Sequence, residues 1–296
     1  MRCGIVLFDK PVGLSSNAAL QRVRRLLGGV KAGHTGSLDP LASGMLPICI
    51  GEATKLAGAI LAGDKVYTFR LQLGVRTATG DAEGEAIERC PIPALDAAQI
   101  ERALAGFRGA IQQVPPMYSA LKRQGEPLYR LARRGESVER APRGIRLDLL
   151  ELLERGPDWL DLRVACSKGT YVRVLGEDIA AALGTCGHLA SLRREHVEPF
   201  RDRPMVTLEA LERLASEPGD GDWLLPADAG VPQFPPVRLD VAAARALRLG
   251  QSVPDPAGSG AGGTVRLYGA DGRFMGLGER DPAGRLKVRR LFVAES

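Results

Sequence analysis

The stretch "GHTGSLDPLASGMLPICIGEATK", residues 33–55, decides the fold of the chain around it. Its first half is rich in Gly, Ser and Thr and holds one carboxylate, Asp39, directly before Pro40. Its second half contains "MLPICI", an apolar run that predicts a buried core strand. Small residues that lead into a rigid strand are typical of a place where the backbone approaches a ligand. An aspartate before proline is also a common turn former, so the pattern allows a binding site or a simple turn.

The segments on either side predict a mixed sheet with helices packed against it. Upstream, "GIVLF" (4–8) predicts a buried strand, and "SSNAALQRVRRLLG" (15–28) predicts a helix with a polar cap at its start and glycine at its end. Downstream, "KVYTFRLQLGV" (65–75) alternates like a half-buried strand, and "LDAAQIERALAGFRG" (95–109) is an amphipathic helix. Strands are predicted also at 146–154 and 159–167, and "TYVRVLGEDIAAALG" (170–184) is predicted to cross from strand into helix. Strands and helices alternate only in part, which favours an α+β body over a doubly wound fold.

The C-terminal part of the chain is predicted to form a second domain. Residues 215–236, "ASEPGDGDWLLPADAGVPQFPP", are rich in Pro, Gly and Asp, which indicates the end of the main domain and a linker. Residues 263–279 and 284–294 predict short strands joined by glycine turns, as in a small β-barrel. We therefore predict a main domain at 1–230 and a C-terminal domain at 236–296.

Positive charge is concentrated in two segments. The 296-residue chain carries 40 Lys and Arg against 35 Asp and Glu, a net charge of +5. Residues 119–146, here called the basic insertion, hold eight basic and three acidic residues, and residues 237–296 hold ten and six. The rest is therefore slightly acidic. This distribution fits a polyanion held at two places, and it fits ordinary solvated surface equally well.

The cysteine, histidine and hydropathy patterns exclude several classes of protein. The five cysteines are widely spread and none forms a CxxC pair, so neither a zinc ribbon nor a disulfide framework is predicted. With three histidines, no metal site is expected. The N-terminal apolar run is too short for a secretory leader, and no stretch is long enough to span a bilayer. We predict a cytoplasmic protein with no membrane partner.

A Ser-x-x-Lys motif raises the possibility of a hydrolase. "SALK", residues 119–122, has the spacing found in penicillin-binding enzymes, with Ser119 as the nucleophile and Lys122 as its partner. The companion Ser-Asp-Asn motif is missing, and "SKGT" does not match Lys-Thr-Gly. The sequence therefore argues against acyl-enzyme chemistry.

Residues 33–55 resemble the signature of the TruB family of tRNA pseudouridine synthases. The resemblance continues in the family's order with "FDKPVGLSSN", "KVYTFRLQLGVRTATGDAEG", "PPMYSALKRQGEPLYRLARRG" and "SKGTYVRVLGEDI". It covers nearly the whole main domain, and the tail is similar, less closely, to the PUA-like RNA-binding domain of these enzymes. The resemblance implies a pseudouridine synthase fold, with a mixed, largely antiparallel central sheet flanked by helices and a small C-terminal PUA-like β-barrel.

The same resemblance implies the isomerisation of a tRNA uridine, at position 55 in the TΨC loop, to pseudouridine. The base is cut from its ribose, turned and rejoined through carbon 5, so no metal, ATP or redox cofactor is required. It implies a monomer that binds the tRNA stem-loop without a guide RNA, with the basic insertion as a thumb-like RNA-binding element. An RNA-binding chaperone whose catalysis is secondary or lost is the alternative from a different class.

The resemblance also implies roles for three catalytic residues. Asp39 matches the invariant catalytic aspartate, and Tyr67 matches the tyrosine that stacks on the target base and accepts a proton. Arg173 matches the arginine that pairs with the aspartate, and such pairing would keep Asp39 ionised and oriented. Without the resemblance, Tyr67 would be interpreted as a half-buried strand tyrosine and Arg173 as a surface arginine.

Further matches predict a substrate-binding pocket around these residues. On a strand, Tyr171 and Arg173 would share one face and could point into one pocket. In the family, the residue that matches His34 takes the space vacated by the flipped nucleotide, and the residue that matches Leu192 lines the pocket. Lys10 and Asp81 match positions near the site.

Overall fold

The structure, a computed structural model, describes residues 2–216, 221–256, 258 and 262–293. The strands are β1 Gly4–Lys10, β2 Ala32–His34, β3 Ala42–Ile50, β4 Lys65–Leu73, β5 Val75–Thr77, β6 Ala86–Arg89, β7 Gly109–Gln113, β8 Lys122–Arg123, β9 Glu126–Pro127, β10 Arg143–Arg155, β11 Trp159–Cys166, β12 Gly187–Val197, β13 Leu224–Leu225, β14 Pro236–Arg238, β15 Val253–Pro254, β16 Gly263–Tyr268, β17 Phe274–Arg280 and β18 Arg285–Leu291. The helices are α1 Ser16–Leu26, α2 Ala57–Leu61, α3 Ala97–Ala105, α4 Leu128–Arg133, α5 Val172–Ala182, α6 Leu208–Ser216 and α7 Val241–Arg248, with 3-10 turns at Gly51–Leu56 and Ala227–Gly230.

The central feature of the fold is a large mixed sheet. Among the described residues it contains nine strands, in the order β13-β1-β3-β12-β4-β11-β10-β7, with β2 paired to β3 beside this path. The pair β3–β12 is parallel, and the other pairs are antiparallel. Apolar residues of α1, α3, α5 and α6 form one hydrophobic cluster with one face of the sheet. This confirms the predicted α+β architecture with a mixed, largely antiparallel sheet.

The parallel pair β3–β12 depends on one glycine. Gly44 of β3 pairs with Arg194 of β12, and its φ is +99°. A Cβ atom at Gly44 would lie 2.1 Å from the Arg194 carbonyl oxygen, so only glycine permits this approach of the two backbones. The pairing fixes the strand that leaves the Asp39 loop against the centre of the sheet.

The C-terminal strands form a second, smaller sheet. Within the described residues its order is β14-β16-β17-β18-β15, and the sheet curls into a half-barrel. This is consistent with the predicted PUA-like domain. Residues 217–220 of the predicted linker lie outside the described residues.

The two sheets share a hydrophobic core. Ile5 and Leu7 of β1 and Met45 of β3 belong to the same buried cluster as Leu277 of β17. Three phenylalanines from the C-terminal part pack against this cluster: Phe234, Phe274 and Phe292. The Lys55 side chain also donates a hydrogen bond of 2.7 Å to the carbonyl of Leu291. The second face of the central sheet is thus covered partly by the C-terminal sheet.

Replacing Phe274 by alanine should destabilise the whole protein. The Phe274 ring packs edge-on against Phe292, with centroids 5.2 Å apart, and lies 5.5 Å from Tyr268. Its removal leaves a gap in the shared core, so we expect a loss of about 2–4 kcal/mol in the free energy of unfolding, measured by urea denaturation. The control is Val241→Ala, because Val241 is 73% exposed; its effect should stay within about 0.5 kcal/mol. An unchanged midpoint in Phe274→Ala would contradict the shared core.

Residues 170–174 differ from the prediction. Helix α5 starts at Val172, and Tyr171 is its N-cap residue, so Arg173 lies in the first helical turn and the predicted strand is wrong. The buried residues Val172, Leu175, Gly176 and Ile179 recur at helical spacing. The helical period therefore extends further upstream than the β-branched residues suggest, and Tyr171 and Arg173 do not share a strand face.

One cysteine pair also differs from the prediction. Cys90, just after β6, is joined to Cys186, just before β12, by an S–S bond of 2.27 Å across a sequence separation of 96 residues. Cys49 and Cys166 are buried free thiols. Sequence spacing contained no sign of the bonded pair because its two members meet only through the fold.

The basic insertion leaves the central sheet as a hairpin and a short helix. Strands β8 and β9 pair with each other, and α4 buries Leu128 and Leu131 while Arg130 and Arg133 lie on the exposed side. The predicted short basic helix is confirmed. No helix in the described part of the chain is long and apolar enough to cross a membrane.

Candidate active site

The backbone around Asp39 is held in place by hydrogen bonds to the start of α1. The Ser16 hydroxyl accepts a hydrogen bond of 2.7 Å from the Leu38 amide and donates one of 3.0 Å to the Leu38 carbonyl. The Gly13 amide donates a bond of 2.8 Å to the carbonyl of Pro40. The residues on both sides of Asp39 are therefore fixed, and its carboxylate has a defined position.

The Arg173 guanidinium joins three separate loops. Its Nε lies 3.0 Å from Asp39 Oδ2 and 3.7 Å from Asp81 Oδ2. Its Nη1 donates to the Thr79 carbonyl at 2.8 Å, and its Nη2 donates to the Tyr118 carbonyl at 2.7 Å. The Arg173 side chain is only 7% exposed, whereas that of Asp39 is 42% exposed. The arginine is thus a buried support, and the aspartate is the partner that solvent or a ligand can reach.

Asp81 is the buried member of the carboxylate pair. Its Oδ1 accepts hydrogen bonds from the Thr79 hydroxyl at 2.5 Å and from the Glu83 amide at 3.2 Å. Asp81 also forms an isolated β-bridge with Leu189 of β12. These contacts fix the second carboxylate, so that two acids share the charge of Arg173.

The protonation of Asp39 reflects competing influences. Burial raises its pKa above the ordinary value, and repulsion from Asp81 acts in the same direction, while Arg173 and Lys10 lower it. The predicted pairing with Arg173 is present, but the net shift is upward and not downward. The arginine therefore limits the rise of the pKa, and Asp39 is a stronger base than an exposed aspartate.

Lys10 connects the site to the loop before α1. It is fully buried, and its Nζ donates to the carbonyls of Pro11 at 2.8 Å and Leu14 at 2.7 Å. Burial lowers its pKa to about 8, against the opposing effect of Asp39 and Glu83. The lysine therefore holds its own loop and adds positive charge near Asp39.

Tyr67 and Leu192 lie in the core beside the strand that follows Asp39. Both are buried members of the main hydrophobic cluster. Leu192 pairs with Ala42 at the start of β3 and with Phe69 of β4. Burial raises the pKa of Tyr67, and the charge of Asp39 adds to the rise. Tyr67 is therefore a neutral phenol within the electrostatic range of Asp39.

Tyr171 lies near Asp39, and His34 lies near Arg194. The Tyr171 backbone is fixed by Gln113, whose side chain bonds both its amide, at 2.8 Å, and its carbonyl, at 3.1 Å. Burial raises the pKa of Tyr171, and Asp39 contributes to that rise. Burial and the nearby Arg194 lower the pKa of His34, which favours its neutral form. The Nδ1 atom of His34 is buried without a hydrogen-bond partner among the residues that the structure describes.

The Ser119–Lys122 pair does not form a nucleophile and base. Ser119 is buried, and the polar side chain beside its hydroxyl is the phenol of Tyr171, whereas Lys122 is exposed. The hydroxyl therefore lacks the adjacent base that an acyl-enzyme mechanism needs.

Comparison with known proteins identifies the family. Residues 24–172 match the family model "TruB family pseudouridylate synthase (N terminal domain)". Residues 173–231 match "tRNA pseudouridylate synthase B C-terminal domain", and residues 235–292 match "Pseudouridine synthase II TruB, C-terminal". A tRNA pseudouridine synthase B of Stutzerimonas stutzeri is 52% identical over 295 residues, which cover 99% of this chain and 96% of that protein. The chain belongs to the TruB family.

A second TruB relative and the solved structures agree with this assignment. A tRNA pseudouridine synthase B of Aromatoleum aromaticum is 51% identical over 97% of this chain and 92% of its own length. A chain of a Cbf5-Nop10-Gar1 complex matches with a TM-score of 0.74 at 25% identity, covering 99% of this chain and 84% of that one. A chain of an H/ACA RNP bound to a substrate RNA matches with the same TM-score of 0.74 at 23% identity, which shows the fold alone.

The TruB motifs locate the acids and the arginine but not all of their supports. The carbonyls of Thr79 and Tyr118 hold Arg173, and backbone groups give no signal in a sequence. Arg194 did have a signal. It lies two residues after the buried Leu192 on β12, so a basic side chain falls on the core face of a strand.

Proposed function

We propose that this protein is a tRNA pseudouridine synthase that isomerises the uridine at position 55 in the TΨC loop. The observation that carries the proposal is the pairing of Asp39 with the buried guanidinium of Arg173, in a loop fixed on both sides, in a chain of the TruB family. The 1–230 segment supplies the site, and 236–296 supplies a second RNA contact. The protein acts in the cytoplasm as a monomer, without a guide RNA.

Each part of the site has a task in this reaction. The uridine leaves its stack, at a cost of a few kcal/mol, and enters beside Tyr67 and Leu192. The N1–C1′ bond breaks, the base turns, and a C5–C1′ bond forms. Asp39 bonds to or electrostatically stabilises the reacting sugar, much as carboxylates do in glycoside cleavage. C5 loses its proton and N1 gains one, so the isomerisation needs no other reactant. Tyr67 stacks on the base, and its neutral hydroxyl accepts a substrate proton only as it passes its own proton on. The His34 ring fills the space that the uridine leaves.

The site assignment is tested by mapping the product. The purified protein is incubated with an unmodified tRNA transcript, and pseudouridine is located nucleotide by nucleotide. We expect conversion at position 55, with the neighbouring loop uridines unmodified. A transcript that stays unmodified, or is modified only elsewhere, would overturn the proposed substrate position.

The basic insertion should bind RNA phosphates. Lys122, Arg123 and Arg130 are exposed on β8 and α4. Changing all three to glutamine should weaken tRNA binding and make the dependence of log K on log salt less steep. The expected change in slope is about 0.7–0.9 for each phosphate that the variant no longer neutralises. Filter binding between low and moderate salt measures this slope.

The control removes the same charge from outside both basic segments. Arg89, Arg102 and Arg213 are exposed on other elements, and their change to glutamine should leave the slope near that of the wild type. Equal slopes for the two triple variants would show that the basic insertion is ordinary solvated surface.

A further inference from the structure

Arg194 is a cation in the interior of the protein, and its donors bind backbone groups rather than an acid. Arg194 is 1% exposed, and its side chain is among the largest that are fully buried. Within the described residues its guanidinium forms no ion pair with a carboxylate, unlike Arg193 beside it, which binds Asp9 at 2.9 Å. A buried charge without a counter-ion costs several kcal/mol unless its donors are satisfied.

The donors of Arg194 bind the backbone of the Asp39 loop and of β3. Its Nε donates to the Met45 carbonyl at 2.7 Å, and its Nη2 donates to the Gly36 carbonyl at 3.0 Å. Gly36 has a φ of +84° and lies three residues before Asp39. The guanidinium thus ties a left-handed turn, which only glycine adopts readily, to the adjacent core strand.

Arg194 also lies directly opposite Tyr67 in the sheet, as its partner in the antiparallel pairing of β12 with β4. Burial raises the pKa of Tyr67, while the positive charge of Arg194 and its hydrogen bond to the phenol oppose that rise. A phenol oxygen that accepts a bond from a cation has its own proton free for another acceptor, and its orientation is fixed.

We propose that Arg194 is a positioning residue of the isomerisation, whose guanidinium fixes the turn that leads to Asp39 and the hydroxyl of Tyr67 at the same time. The inference rests on the proposed function, because it assigns Asp39 and Tyr67 to the chemistry. Only arginine suits the task, since its planar fork donates in several directions, whereas lysine offers a compact point charge. Five ionisable groups on the surrounding elements interact electrostatically with Arg194 or Tyr67: Lys10, His34, Asp39, Lys65 and Cys166.

The test compares Arg194→Lys and Arg194→Met with the matched control Arg193→Met. Arg193 is the next residue on β12, points to the other face and is part-exposed. For each variant, the single-turnover rate of pseudouridine formation, the Kd for tRNA and the Tm are measured. A misplacement of about 1 Å costs on the order of 10²-fold in rate, so we expect a loss of about that size in Arg194→Met and at least about tenfold in Arg194→Lys. The Kd should change less than about threefold, because Arg194 is not available to RNA.

A spectroscopic readout separates positioning from general stability. The chain has five tyrosines, so the ring-carbon signals in protein labelled at tyrosine Cζ can be resolved, and the Tyr67 signal is assigned with Tyr67→Phe. We expect the Tyr67 signal to move in Arg194→Lys and to stay in place in Arg193→Met. If Arg194→Met does not fold, Arg194→Lys, which keeps the charge, decides the question alone.

Three results would overturn the proposal. The first is an Arg194→Lys protein that reacts at the wild-type rate, and the second is a Tyr67 signal that does not move in it. The third is a rate loss that appears only as weaker tRNA binding, which would contradict a positioning role. Failure of the wild-type protein to form pseudouridine would instead refute the proposed function, and the Tyr67 signal would still report whether Arg194 holds the phenol.

Discussion

Asp39→Asn should abolish pseudouridine formation and leave tRNA binding almost unchanged. The amide keeps the shape of the side chain but cannot supply negative charge at the ribose, so we expect the single-turnover rate to fall by about 10⁴-fold or more. One uncharged side chain near RNA removes no phosphate contact, so the Kd should stay within about tenfold. Loss of tritium from uridine labelled at C5 measures the rate, because the new bond forms at that carbon.

The matched control is Asp161→Asn. Asp161 also pairs with an arginine, Arg70, at 2.6 Å, but it lies on β11, and both side chains are partly exposed. Its replacement should leave the rate unchanged. If Asp39→Asn still converts tRNA at the normal rate, the mechanism is refuted. If it is inactive and yet supports tRNA folding, the protein has the chaperone role in addition.

Arg173→Met should produce the second largest loss, and its pH dependence should identify the cause. Without the guanidinium, Asp39 and Asp81 repel each other without a shared cation, so the pKa of Asp39, already raised by burial, should rise further. A smaller fraction of Asp39 is then ionised at neutral pH. We expect a rate loss of about 10²–10³-fold and an acid limb of the pH–rate profile that moves to higher pH.

The informative control for Arg173→Met is Asp81→Asn. It removes the repulsion that raises the pKa of Asp39, so its acid limb should move to lower pH. In both variants the rate should also fall on the alkaline side, as Lys10, whose pKa is lowered to about 8, loses its proton. Acid limbs that move in the same direction in the two variants would exclude a shared electrostatic network as the cause.

Much of the fold could be predicted because local pattern and tertiary environment agree. Helix α1 has its cap at Ser15, and β3 and β4 coincide with the apolar run after Asp39 and with the alternating segment around Tyr67. In these elements, hydrophobic periodicity matches the face that the sheet buries. The motif at residues 33–55 also predicted that Asp39 lies in a loop before a core strand. In the structure, Asp39 lies in the loop between β2 and β3.

The remaining features depend on contacts between distant segments. Tyr171 and Val172 are residue types that favour strands, so the sequence placed Arg173 on a strand. Val172 instead belongs to the buried face of α5, and Arg173 is helical. The upward shift in the pKa of Asp39 comes from burial and Asp81, and the sequence suggested only the pairing with Arg173. The carbonyls that hold Arg173 and Arg194 belong to the backbone, so they become identifiable only after the chain has folded.

The core shared by the two sheets has a consequence for engineering. Sequence boundaries suggest that the C-terminal unit could be exchanged for another RNA-binding module to change the substrate. Phe274 and Leu277 are, however, as much a part of the catalytic sheet's interior as Ile5 is. A transplanted module would need equivalent apolar side chains, since a simple exchange would leave an exposed hydrophobic surface on the catalytic sheet.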